Sequence, residues 1–150
     1  MMDQRVSMIT LGVADLERAG AFYSALGWQK AAESQPGITF YQCPGMVLGL
    51  FPLDELAKDQ GRPGAHLGSG AMNIAQNQPD RQAVDAVFEQ AIGAGATSMK
   101  PPQEVFWGGY SGYFADPDGH AWEIAHNPFF PLARDGTLTL PSEIDREIET

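Results

Sequence analysis

The chain is short of cysteine, of basic residues and of long apolar runs, and each shortage closes off a class of function. Its single cysteine, Cys43, can form no internal disulfide, which removes the disulfide-stapled secreted scaffolds. Nine Lys and Arg stand against nineteen Asp and Glu, for a formal charge of −10. A face that binds phosphate backbones or anionic lipid needs clustered Lys and Arg, and no such run exists, so neither a nucleic-acid nor a membrane partner is expected. No apolar stretch reaches the roughly 20 residues that span a bilayer. Nothing at the N-terminus has the apolar core of a secretion signal. The expectation is a soluble, cytoplasmic protein.

What the chain does hold is ordinary globular material. Hydrophobic residues make up 43% and charged residues 19% of 150 positions, enough for one domain or two small, intimately packed halves. The opening "RVSMITLGV" alternates, with Ile9, Leu11 and Val13 on one face and Met8, Thr10 and Gly12 on the other, and reads as a strand. Asp15 then caps a helix whose apolar stripe is Leu16, Ala19, Phe22, Tyr23 and Leu26, stopped by Gly27. Strand candidates follow at 28–33, 39–43 and 46–51, separated by the turn formers Pro36-Gly37 and Pro44-Gly45.

The order then recurs. "MNIAQN" is strand-like, Asp80 caps a helix with the stripe Val84, Val87, Phe88 and Ala91 before Gly93, and strand candidates follow at 97–100, 112–115 and 121–125. Asp80 lies about 65 positions after Asp15, and Asn73 the same distance after Met8, so two β-α-β-β-β units are expected. Residues 54–70 between them read as one helical turn and a Gly-rich loop. The tail after Pro128 is acidic, and Ser142 with Asp145 could cap a short helix in it.

The tandem modules, opened by "ITLGVADLERAGAFYSALGW" and closed by "GYFADPDGHAWEIAHNP", resemble the vicinal oxygen chelate superfamily. Glyoxalase I, bleomycin-resistance proteins, fosfomycin-resistance enzymes and extradiol dioxygenases belong to it. The resemblance implies an α+β fold in which two βαβββ modules form a cupped mixed β-sheet with helices outside. It places a single domain at 1–128, with module one at about 5–53, the linker at about 54–70 and module two at about 71–128, followed by the tail at 129–150. It also implies a small-molecule pocket in the cup and pairing into a homodimer.

In metal-using members the ligands come from the first and last strands of each module. Those positions fall here on Met8, Gly49, Asn73 and Glu123. Divalent ions that polarise vicinal oxygens want imidazole nitrogen or carboxylate oxygen, and a catalytic zinc takes about three protein ligands. A thioether, a bare glycine and an amide are a poor set, so the expected cofactor is none. The alternative is Zn, Ni, Fe or Mn anchored on Glu123.

Residues 114–128, "FADPDGHAWEIAHNP", hold a carboxylate and two imidazoles and so raise a metal site, an acid–base site or a plain hairpin. The spacing of Asp116-Pro117-Asp118-Gly119 is wrong for an EF-hand loop and right for a type I turn. His120 reads as a solvent-side residue at the strand start, and His66 as incidental in the linker. His126 falls on the opposite face from Glu123. Cys43 reads as an inert, buried thiol. Glu123 shares its face with small Ala121 and Ala125, either bonded to Asn73, a tyrosine or water, or raised in pKa as a general base. Trp107 and Tyr113 stand among glycines and are taken as pocket-lining, with Phe40 or Tyr41 facing the same space. Three functions stay open. They are a metal-independent binder of an apolar or aromatic compound, a metal-dependent glyoxalase- or dioxygenase-like lyase or isomerase using Glu123, and metal-free proton transfer with Glu123 as base.

Overall fold

The computed structural model describes residues 1–142. Within them the order is β1 (Met8–Val13), α1 (Leu16–Ala25), β2 (Thr39–Cys43), β3 (Met46–Pro52), α2 (Leu53–Asp59), β4 (Asn73–Asn77), α3 (Arg81–Gly93), β5 (Thr97–Glu104), β6 (Tyr110–Ala115) and β7 (Ala121–His126). The strands form two mixed sheets, β1-β3-β2 and β4-β7-β6-β5. In each, the first strand of the module runs parallel to the last, as β1 beside β3 and β4 beside β7, and the remaining pairs are antiparallel. This is the α+β architecture of paired modules that the repeat implies.

The helix signals work as local chemistry. The Asp15 carboxylate accepts from Arg18 N at 3.1 Å and that of Asp80 from Ala83 N at 2.7 Å, each satisfying an amide that the helix leaves unpaired. Gly27 (φ +90°) ends the first helix turn in the left-handed region. In the second unit Gly95 (φ +112°) plays that part, just beyond α3, which ends at Gly93.

Module one departs from the expected pattern. Residues 28–33 form no strand; their one backbone tie to β2 is Ala31 N donating to Phe40 O at 2.8 Å. The stretch "QKAAES" lacks the β-branched residues that fill a pleated surface, and the Pro36-Gly37 turn pairs only Gln35 with Ile38. The equivalent strand of module two, β5, is eight residues long and carries two register shifts. Gly112 is required opposite them, because a Cβ there would lie 2.8 Å from Pro102 N and 3.0 Å from Lys100 O. The linker's single turn is a seven-residue helix, α2. The cap expected from Ser142 and Asp145 concerns residues beyond 142 and lies outside the described residues.

One core serves both modules. Leu11, Val13, Leu48, Leu50 and Tyr41 from the first sheet join Phe114, Trp122 and Ile124 from the second. Phe22 and Tyr23 of α1 meet Phe114 and Trp122 at ring distances of 6.3 and 6.1 Å, and Phe88 of α3 meets Phe114 at 6.3 Å. Strand alternation then decides the rest. Met8, Thr10 and Gly49 on one sheet, and Asn73, Ala75 and Glu123 on the other, occupy the faces turned away from this core.

Candidate functional site

The acidic turn does more than reverse the chain. It is the expected type I turn, with Gly119 N donating to Asp116 O at 2.9 Å and Gly119 at φ +85°. Its side chains, however, reach into module one. Asp116, buried at 3% exposure, accepts from the Tyr23 hydroxyl at 2.8 Å and from the amides of Asp118 and His120 at 3.0 and 2.9 Å. Tyr23 in turn accepts from Trp122 Nε1 at 3.1 Å. Burial and the neighbouring Asp116 carboxylate push the Tyr23 phenol far above its ordinary value. Asp118 accepts from Ala14 N at 2.8 Å and from Arg18 Nη2 at 3.1 Å. His120 is therefore not a solvent-side residue: its Nε2 lies 2.7 Å from Gly12 O. The sequence motif is a latch between modules, and its partners lie about 100 positions away in the chain.

Glu123 stands apart from that latch. On β7 it is opposite Ala75 of β4 on one side and Tyr113 of β6 on the other, with Lys100 of β5 opposite Tyr113 in turn. The Tyr113 hydroxyl donates directly to Glu123 Oε2. That bond to the carboxylate, with partial burial and the carboxylate's charge behind it, pushes the Tyr113 phenol up to about 12. Of the three partners foreseen for Glu123, a tyrosine is the one the structure supplies. Ala121 and Ala125 share the face as expected and are buried at 7% and 2%.

The other expected site residues divide between places. Asn73 lies on the Glu123 face, exposed, at the start of β4 opposite Ala121. Met8, 44% exposed, and buried Gly49 lie on the outer face of the other sheet. A Cβ on Gly49 would meet Thr10 Oγ1 at 3.3 Å and the Phe40 ring at 3.6 Å, so Phe40 takes the outer face while Tyr41 enters the core at 2% exposure. Among the described residues no hydrogen bond joins Met8 or Gly49 to Asn73 or Glu123. Trp107 lies in the β5–β6 turn, 37% exposed, with its ring laid over Gly109. From there to Tyr113 is the rest of the turn plus three strand positions, ~10 Å of strand alone. His126 Nδ1 lies 3.1 Å from Gln78 O, tying the end of β7 to the chain leaving β4. His66, with Arg62 and His120, lines a cleft of about 420 Å³ between β1, α2 and the linker.

The donor set does not fit a family-type divalent metal. Glu123 is its one hard anionic donor, and Tyr113 already occupies one of its oxygens. Gly49 has no side chain, and Thr10 and Phe40 close over the space a longer one would need. A Met8 thioether and the Asn73 amide do not make up the deficit for Zn, Ni, Fe or Mn. Among the described residues no group of three or more His, Cys, Asp or Glu is arranged to hold an ion.

Fold and site together define a glyoxalase-type α+β domain with a carboxylate at one ligand position of four. Residues 5–124 match the Glyoxalase/Bleomycin resistance protein/Dioxygenase superfamily, and the chain belongs to that superfamily, the vicinal oxygen chelate group its motifs resemble. A glyoxalase-related enzyme from Fulvimarina pelagi is 38% identical, with a TM-score of 0.85 over 93% of this chain and 99% of that one. Lactoylglutathione lyase from Agrobacterium tumefaciens shares the fold at 22% identity and a TM-score of 0.65, covering 84% of this chain and 96% of that one. An uncharacterized protein of Mycobacterium bovis is 44% identical over 41 residues, a match spanning 27% of this chain and 27% of that protein. Among the described residues no helix is long and apolar enough to cross a membrane.

Proposed function

We propose that the chain binds a small apolar or aromatic molecule on the Glu123–Tyr113 face without a family-type metal. The observation that carries this reading is the Tyr113–Glu123 hydrogen bond, made where a metal would need the carboxylate free. Met8, Gly49 and Phe40, on the outer face of the other sheet, would supply an apolar wall in place of ligands once a second copy set that face against Glu123. The two modules bury their apolar faces in the shared core, leaving exposed Met8, Asn73 and Ala75 on separate outward faces. A homodimer that set module one of one copy against module two of the other would close the cup over Glu123. A reducing cytoplasm suits a chain whose single thiol is unpaired.

The same pair favours a second reading, metal-free proton transfer. A carboxylate that removes a proton beside a carbonyl needs a donor for the oxygen that gains charge. The Tyr113 phenol, held protonated well past neutrality, is such a donor next to such a base. The similarity to a glyoxalase-related enzyme supports an enzymatic role. Metal-dependent lyase, isomerase or dioxygenase action ranks below both, since an ion would have to displace Tyr113 from Glu123.

Elemental analysis of protein purified without chelator, followed by metal add-back and a glyoxalase assay, tests the proposal. The expected result is metal far below one equivalent per chain and no activity gained on add-back. Near-stoichiometric Ni, Zn, Fe or Mn that is lost in Glu123→Ala would overturn it.

A further inference from the structure

An aromatic concavity lies away from Glu123 and Tyr113. It lies at the seam between the sheets, where residues 28–33 fail to form an edge strand and leave β2 uncovered opposite β4. A cleft of about 400 Å³ there is walled by Trp28, Tyr41 and Cys43 from module one and Ile74, Gln76 and Trp122 from module two. A second, of about 220 Å³, continues under α3 and shares Trp28, Gln76 and Trp122. Ala75 of β4, beside Glu123, borders the first cleft, but neither wall includes Glu123, Tyr113, Met8, Gly49 or Asn73.

Three observations specify an occupant. The first is charge: no residue lining either cleft is ionic, in a chain with 28 charged side chains and a net of −10. An ionic ligand would find no counter-charge on these walls and would lose its hydration on entry. The second is shape. Trp28 meets Trp122 (5.8 Å, 88°) and Tyr41 (5.7 Å, 75°) in edge contacts, so the three rings touch and form one angled aromatic wall on which a flat molecule can lie. The third is the polar rim. Gln29, Gln42, Gln76 and Gln90 line the two clefts. Gln76 accepts from Gln78 Nε2 at 2.7 Å, and that bond leaves its own N–H groups for a guest. Amides offer both donor and acceptor at no ionic cost. The volume falls in the range of small-molecule sites, about 300–1,000 Å³.

We propose that this seam is a second binding site, separate from the Glu123 face, for a neutral planar molecule with hydrogen-bonding groups at its edge. Because Trp28 and Tyr41 belong to one module and Ile74 and Trp122 to the other, the occupant bridges them. Cys43 reports on it: the thiol is half-buried on the wall, and burial raises its pKa, so it is a slow, probe-sensitive target.

The neutral fluorophore N-phenyl-1-naphthylamine tests the site in the intact chain, read by its fluorescence and by the rate at which a maleimide modifies Cys43. Probe bound at the seam should slow the modification in proportion to its occupancy, whether or not a second probe binds on the Glu123 face. Trp28→Ala should weaken binding about tenfold, the loss of one aromatic wall. Gln76→Trp, at an exposed strand position that needs no core change, should block entry while circular dichroism stays native. Glu123→Gln and Tyr113→Phe should leave the protection of Cys43 by the probe unchanged. Protection of Cys43 that survives Gln76→Trp, or that disappears in Glu123→Gln, overturns the proposal. So does a Cys43 that is shielded without probe and becomes reactive only when sedimentation shows dimers dissociating, since the seam is then an interface between copies.

Discussion

The Tyr113 hydroxyl donates to the Glu123 carboxylate from the position directly opposite it on the neighbouring strand. Ten positions separate the two in sequence, yet β6 and β7 are joined by the turn that ends in Gly119, and their register sets the rings and carboxylates of one face side by side.

That bond should be visible in a titration. Tyr113 has its pKa pushed up to about 12 in the fold, against about 10 for an unperturbed phenol. Its contribution to stability is therefore complete below pH ~10 and lost as pH rises through about 12. Near-ultraviolet absorbance of the wild type minus Tyr113→Phe should show a phenol titrating late, and Glu123→Gln should bring it down toward ordinary values. A Tyr113 titration unmoved by Glu123→Gln would remove the pair from the site.

The latch predicts a stability loss at a residue with no catalytic part. Tyr23→Phe keeps the ring but leaves buried Asp116 without its hydroxyl donor and Trp122 Nε1 without an acceptor. The expected cost is about 2 to 4 kcal/mol, the penalty of two buried polar groups losing a partner. Urea denaturation measures it. A midpoint equal to wild type would mean that the modules do not depend on this link.

Two glycines should respond in opposite directions. Gly112→Ala drives a methyl into the backbone of Pro102 and Lys100, where nothing flexible can yield, and should cost about 1 to 3 kcal/mol. Gly93→Ala meets nothing within 4 Å at a helical position and should stabilise by about 0.5 kcal/mol. Thermal unfolding of the two variants, if it ranked them the other way, would place the β5 irregularity wrongly.

The second copy predicted over the Glu123 face can be tested without touching that residue. Ala75 is exposed in the chain and sits beside Glu123. Ala75→Arg should leave the fold intact and convert a wild-type dimer to monomer in sedimentation velocity. A wild type that is monomeric, or a variant that remains dimeric, would show that module one of a second copy does not cover this face.

Much of the fold could be read from the chain because its signals are local. Asp15 and Asp80 cap because a carboxylate next to a helix start has free amides within reach, and Gly27 stops a helix because only glycine takes φ +90° freely. Strand parity alone placed Glu123 with Ala121 and Ala125, and His126 on the other side. Where the local signal was weak, the reading slipped: 28–33 lost its strand for want of β-branched residues. His120 and Asp118 could not be placed in advance, since their partners Gly12, Ala14 and Arg18 come from the other module. Nor could Trp28 and Trp122 be seen as one wall, for nothing in either segment points to the other.

By itself, then, the order of residues determined the superfamily, the two-module plan and the poverty of metal ligands, all properties of neighbouring positions and of residue type. Only the tertiary structure decided that Glu123 is bonded to Tyr113, that the acidic turn fastens one module to the other, and that the uncharged aromatic cleft lies at the seam. Those are contacts between distant segments, and they exist only once burial of a common core has brought the two sheets together.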